Sequence, residues 1–291
     1  MIKANHHFFQ LISAIVIMSS SGVLARSVDI SPELAIWVRS LLGVLVLFVS
    51  IRLMGLPTWT GPGKPLMAVV LSTILFGIHW VTYFYALYFS NVAVGMLSLF
   101  TFPVMTAILE PLIVKSKFSF VDLILALIAF AGVYFLVPEF DLNNKTTQGV
   151  LIGLFSALTY SLRNLTLKLH VKEHSGITLM FMQLLGLVVL LSPTLFYGGY
   201  LPNLVGIRQD WLPLLILGVF TTAIGHTMFV MSFKNFSITM ISILSTLTPL
   251  IGIGLGMYFL NEIPENNIWI GAGLISVAVI AESMKAIRST G

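Results

Sequence analysis

FTFPVMTAILEP at residues 100–111 and ISILSTLTPLIGIGLGMYF at 241–259 decide how this chain is built. Each sets a proline, Pro103 or Pro249, in a run otherwise suited to hydrocarbon. A proline inside a helix removes an amide donor, bends the axis and frees a carbonyl. One such bend is an ordinary packing device. Two at corresponding places point to a repeated unit.

Composition puts the chain in a membrane. Of its 291 residues 57% are hydrophobic and 9% charged, with a mean hydropathy of +1.00, against roughly 25% charged residues in soluble domains. That leaves too little polar surface for a water-soluble fold. The net charge of +4 has no dense basic cluster behind it, which argues against a nucleic-acid partner. With no cysteine, disulfides, thiol catalysis and Cys-ligated zinc are excluded. The opening MIKANHHFFQLISAIVIMSSSGVLARS imitates a signal peptide, but the apolar runs that follow favour a first transmembrane helix.

About 20 mostly apolar residues cross the hydrocarbon core as a helix. Ten such runs are expected, at 8–25, 33–54, 65–88, 91–113, 119–137, 148–168, 175–197, 211–232, 237–259 and 266–286. Their continuity excludes a membrane barrel, whose strands alternate in polarity. Basic residues orient them. With the N-terminus inside, the inner loops and tails hold Lys3, Arg52, Lys64, Lys115, Lys117, Lys168, Lys172, Lys234, Lys285 and Arg288. The outer connections hold Arg26, Lys145 and Arg208. Ten against three fits the positive-inside rule, and an even number of crossings returns the C-terminus to the cytoplasm.

A shift of 146 residues lays Pro103 on Pro249, Leu109 on Leu255, Ala126 on Ala272 and Val133 on Val279, with His79 one place short of His226. The fourth run of each five holds the proline and the third the histidine. Five is odd, so the second set enters from the opposite side. Transporters built on inverted repeats hold substrate near the midplane, between the repeats. The expected fold is all-α and polytopic: ten transmembrane helices as two inverted five-helix repeats, residues 1–137 and 148–291, with a linker at 138–147 and both termini cytoplasmic.

IWVRSLLGVLVL at 36–47, LSLFTFPVMTAILEP at 97–111 and LSTLTPLIGIGLGMYFLNE at 244–262 make nearly the whole chain resemble the drug/metabolite transporter superfamily, in its EamA-type ten-helix branch. In that family a glutamate follows the proline-bearing helix of the second repeat, and Glu262 matches. The first repeat departs from this, with Ser116 between two lysines. The resemblance implies export or exchange of small metabolites such as amino acids, in the cytoplasmic membrane of a bacterium.

A charge at the centre of a membrane helix costs at least about 2.5–3.5 kcal/mol, so it normally faces the bundle interior. Arg39 reads either as a packing arginine or as a clamp for a substrate carboxylate. Met96, Leu99, Pro103, Thr106 and Glu110 share one helical face, and Ser242, Ser245, Pro249, Gly252 and Gly256 form the corresponding face of the second half. Both are expected to line a central chamber, with Pro103, Pro249, Gly252 and Gly256 as hinges. Glu110 lies at the depth of Arg163. A buried Glu110–Arg163 pair is the preferred expectation; a proton-coupling role for Glu110 is the alternative.

His79 shares a face with Ser72, Phe76 and Tyr83, and with His226 it marks the middle of the bundle. Ser156, Tyr160, Arg163 and Asn164 form a polar stripe, Gln183 lies deep and needs a partner, and Trp80 and Phe100 supply aromatic walls. No metal site and no cofactor are expected, since two distant histidines lack ligand spacing. The expected partners are a small-molecule substrate, the lipid bilayer and, for coupling, protons. Oligomeric state is left open. A small-metabolite exporter, most of all of amino acids, is the leading reading; an exporter of lipophilic cations would want an unpaired acid in the chamber. An intramembrane enzyme would need a nucleophile–base or metal cluster, and neither GxSxG nor HExxH occurs.

Overall fold

A computed structural model describes residues 2–114, 120–136, 141–168, 174–197, 204–236, 241, 244–245 and 247–290, and the described residues contain no strand. The helices are α1 (Ile2–Ser19), α2 (Ser21–Arg26), α3 (Pro32–Met54), α4 (Lys64–Phe89), α5 (Val92–Leu99), α6 (Phe102–Val114), α7 (Phe120–Tyr134), α8 (Lys145–Lys168), α9 (Gly176–Tyr197), α10 (Leu204–Gln209) and α11 (Trp211–Ile216). A π-helical segment (Leu217–His226) follows, then α12 (Thr227–Ser232), α13 (Leu247–Leu260) and α14 (Asn266–Thr290).

Seven runs among the described residues are long and apolar enough to cross a membrane: α1–α2, α3, α4, α5–α6, α8, α9 and α11–α12. Three shorter apolar helices, Leu123–Tyr134, Leu247–Leu260 and Asn266–Ala281, fall where the fifth, ninth and tenth crossings are expected. The chain is thus a polytopic helical membrane protein. Parts of the expected ninth run and of the 138–147 linker lie outside the described residues, as do Lys115, Ser116 and Lys117. The second half's first helix begins at Lys145 rather than 148.

Local sequence sets the ends. Ser31 caps α3 by accepting a hydrogen bond from the Leu34 amide at 3.4 Å, and Pro32 and Glu33 suit its first turn. Gly55, at φ +62°, closes it in the left-handed region. At 23 residues α3 is about 34 Å long, enough for the roughly 30 Å hydrocarbon core. The fourth run breaks at Phe100–Thr101, between α5 and α6, because Pro103 has no amide to give Leu99 and crowds its carbonyl. Ser161 of α8 braces the break by donating to the Phe102 carbonyl at 2.9 Å.

The most extensive helix pairings come in couples. α4 packs along α8, and α1 packs along the π segment. Similarly, α5 and α6 meet α8, while α13 meets α1; α3 packs on the π segment and α9 on α4. Three further pairings, α3 with α9, α5 with α13 and α7 with α14, are self-matched. Numbered as ten runs, each of these contacts maps onto another, or onto itself, when every number changes by five.

The α7–α14 pair packs through small residues. A β-carbon on Gly132 would lie 2.9 Å from the Gly271 carbonyl oxygen, and one on Gly271 would lie 2.6 Å from that of Gly132. Backbone contact of this kind replaces the hydrophobic drive that lipid removes. Ala126, Val133, Ala272 and Val279, two of the pairs that the 146-residue shift superposes, all belong to this apolar cluster. Leu53, Leu127, Val189 and Val277 are among the exposed apolar side chains that acyl chains would cover.

Candidate functional site

One face of α4 carries the site. Phe76, His79, Trp80 and Tyr83 recur at helical spacing and all are buried. The Phe76 and Trp80 rings lie 4.0 Å apart, and His79 stacks on Tyr160 of α8 at 4.3 Å. His226, at the end of the π segment, stands edge-on to Trp80 at 5.2 Å and to Phe76 at 5.6 Å. Between these rings is a cavity of about 40 Å³, bounded also by α1, α5–α6, α12 and the run before α13. It has room for about one or two waters, whereas ligand pockets typically measure roughly 300–1,000 Å³. The cavity is too small for an organic solute.

Nine expected residues reach the cavity wall: His79, Trp80, Tyr83, Met96, Leu99, Phe100, Tyr160, His226 and Ser245. Ser242 lies outside the described residues. Asn164, Gln183 and the two arginines form the layer behind. Arg39 stacks on Trp80, its Cζ 4.1 Å from the ring centre, and donates from Nε to Thr222 Oγ1 at 2.8 Å and from Nη2 to Thr221 Oγ1 at 3.0 Å. Arg163 does the same on the other ring, its Cζ 4.1 Å from the centre of Phe76. It donates to Gln183 Oε1 at 2.8 Å and to Asn164 Oδ1 at 3.0 Å, and Gln183 passes the chain on to Ser72 Oγ at 2.8 Å. The deep glutamine thus has its partners.

Both guanidinium groups are fully buried, and no carboxylate of a described residue comes within 4 Å of either. Cation–π contact, worth about 2 kcal/mol when desolvated, and hydrogen bonds to neutral oxygens offset part of the burial cost. Among the described residues, Arg39 Nη1, Arg163 Nε and His226 Nδ1 have no hydrogen-bond partner. His79 is anchored: Ser156 Oγ donates to the His79 carbonyl at 2.9 Å and sits 2.7 Å from His79 Nδ1. Nδ1 also lies 3.2 Å from the Ser156 carbonyl, which can only accept, so a proton on Nδ1 suits both contacts and leaves Nε2 as the other hydrogen-bonding atom of the ring.

The expected Glu110–Arg163 pair does not form. Glu110 meets Lys168 at 3.1 Å at the end of α6, about one-third exposed and away from the cavity. Ser161 meets Phe102 and Lys168 meets Glu110, so Glu110 lies more than a turn beyond Arg163, which turns toward α4 and α9. Gly252 and Gly256 serve close approach rather than the cavity wall. A β-carbon on the first would strike Met96 and lie 3.1 Å from the Ser19 carbonyl, and one on the second would lie 3.2 Å from Val92. Pro103 stands just past the α5–α6 break. Pro249 lies in the first turn of α13, where a missing amide costs nothing.

Sequence reasoning passed over the π segment, in which the consecutive residues Thr221 and Thr222 both reach Arg39. Its signal was a Thr-Thr pair between Gly218 and Gly225. A β-carbon on Gly218 would lie 3.2 Å from the Arg39 carbonyl. Ile15 and Met18 of α1 also line the cavity, and nothing set them apart from lipid-facing residues.

The EamA-like transporter family matches residues 8–137 and again 147–283. The chain belongs to that family. It is 25% identical over 197 residues to the uncharacterized transporter YojE of Bacillus subtilis (strain 168), across 68% of this chain and 63% of that protein. A solved crystal structure shares the fold over 99% of both chains, with a TM-score of 0.69 at 16% identity. This EamA-like chain is a multi-pass membrane protein, and the chamber is its candidate functional site.

Proposed function

We propose that the protein exports small organic metabolites of amino-acid size by alternating access, from the cytoplasmic membrane of a bacterium, with both termini inside. The observation that carries this is the aromatic chamber. It lies between helices of both halves, is backed by two buried arginines without a carboxylate, and is too small in this conformation for an organic solute. The halves are residues 1–137 and 148–291, ten crossings in opposite sense. The coupled helix pairings and the twofold family match support that reading.

Two ion pairs fit the mechanism. Arg26, at the end of α2, meets Glu262 after α13 at 3.3 Å, and Lys168, at the end of α8, meets Glu110 on α6 at 3.1 Å. Each joins the first crossing of one half to the fourth of the other. In the proposed topology they lie on opposite membrane faces. Glu262 also accepts from the Val92 amide at 2.7 Å, tying in the start of α5. The lipophilic-cation reading loses its support, because the acid it would use, Glu110, is already engaged by Lys168.

Efflux from proteoliposomes loaded with labelled amino acids and related carboxylic acids, with and without a pH gradient, tests the proposal. Saturable efflux of at least one solute is expected. Efflux that tracks the gradient makes protons the coupling ion; exchange indifferent to it makes the protein a facilitator. No solute leaving faster than from protein-free vesicles would contradict the transport reading.

A further inference from the structure

The charges within the core are unbalanced. Arg39 and Arg163 are fully buried and no described aspartate or glutamate is buried with them; each guanidinium keeps an N–H without an acceptor. They stand behind Trp80 and Phe76, one on each ring of a touching pair, and Trp80 forms cavity wall. His226, also on the wall, adds a ring nitrogen without a partner. The remaining wall is largely aromatic, with Tyr83, Phe100, Tyr160 and Phe229.

We infer that the chamber selects organic anions with an aromatic or apolar body and no ammonium group: carboxylates such as deaminated amino acids rather than the zwitterions. This rests on the transport reading above and narrows its substrate. A carboxylate entering the chamber offsets two fixed positive charges that stand behind the ring wall, in a medium where screening is weak, and meets the unpartnered ring nitrogen of His226 on the wall itself. An α-amino acid brings its ammonium to the same place, where it meets two like charges and no acid. An amine without a carboxylate gains nothing there.

The test uses three solutes that share one aromatic body: 3-phenylpropanoate, phenylalanine and phenethylamine. Binding to the purified full-length protein is read by calorimetry, and efflux from proteoliposomes is read in parallel. The carboxylate is expected to bind about tenfold tighter than phenylalanine, with phenethylamine unbound and efflux in the same order. Arg39→Gln and Arg163→Gln should each weaken the carboxylate roughly tenfold and leave phenylalanine nearly unchanged. Phenylalanine or phenethylamine binding as tightly as the carboxylate, or none of the three binding, overturns the inference. The wild-type series decides this even where a variant fails to accumulate. Carboxylate binding without efflux keeps the site and sinks the transport reading; equal efflux of phenylalanine does the reverse.

Discussion

Truncating Trp80 to alanine is expected to lower the stability of the purified protein by about 3–5 kcal/mol and to abolish transport. Trp80 is 1% exposed and touches three partners of different character: the Phe76 ring, the edge of His226 and the Arg39 guanidinium. Removing the indole enlarges the cavity and takes away the packing contacts of its neighbours. It also strips a buried cation of an attraction worth about 2 kcal/mol. Trp80→Phe keeps a ring under Arg39 and should lose under half as much. Thermal melting in detergent and proteoliposome flux read the two effects. An alanine variant melting within a degree or two of the parent would show that the ring pair does not support the arginines.

Breaking the two ion pairs should move the protein in opposite directions. The cysteine-free sequence allows a single thiol, Ser245→Cys, to report access to the chamber. Glu262→Ala removes the pair with Arg26 and the charge-assisted bond to Val92, the latter worth about 1.5–3 kcal/mol. Labelling from the outside should rise about tenfold. Glu110→Ala removes only the partly exposed pair with Lys168, worth up to about 1 kcal/mol, and should raise labelling from the inside by about fivefold or less. Both variants shifting access on one face would place the two pairs on that face and refute their role as opposed latches.

Much of this arrangement was legible because hydropathy and helical period are strong signals. The α4 face could be read from spacing alone, since Phe76, His79, Trp80 and Tyr83 recur every three or four residues. What sequence could not supply was how neighbouring helices register along their length. Ser161 of α8 meets Phe102 and Lys168 meets Glu110, so Glu110 lies level with Lys168 and more than a turn beyond Arg163, which turns to Gln183. The faces of α5–α6 and α13 had two readings, because small residues at helical spacing suit a cavity wall and a tight helix contact alike. Met96 against Gly252 is the contact. The π segment left no mark in hydropathy, since widening a turn changes no residue's polarity.

The opposite sense of the two halves is the central claim, and thiol labelling of their starting points tests it directly. His6→Cys, at the start of the first half, and Asn143→Cys, just before the second, are both exposed positions. In sealed right-side-out vesicles a membrane-impermeant maleimide should label Asn143→Cys at once and His6→Cys only after lysis. Labelling of both from the same side would mean that the halves run in the same direction, and the shared chamber proposed here would have no basis.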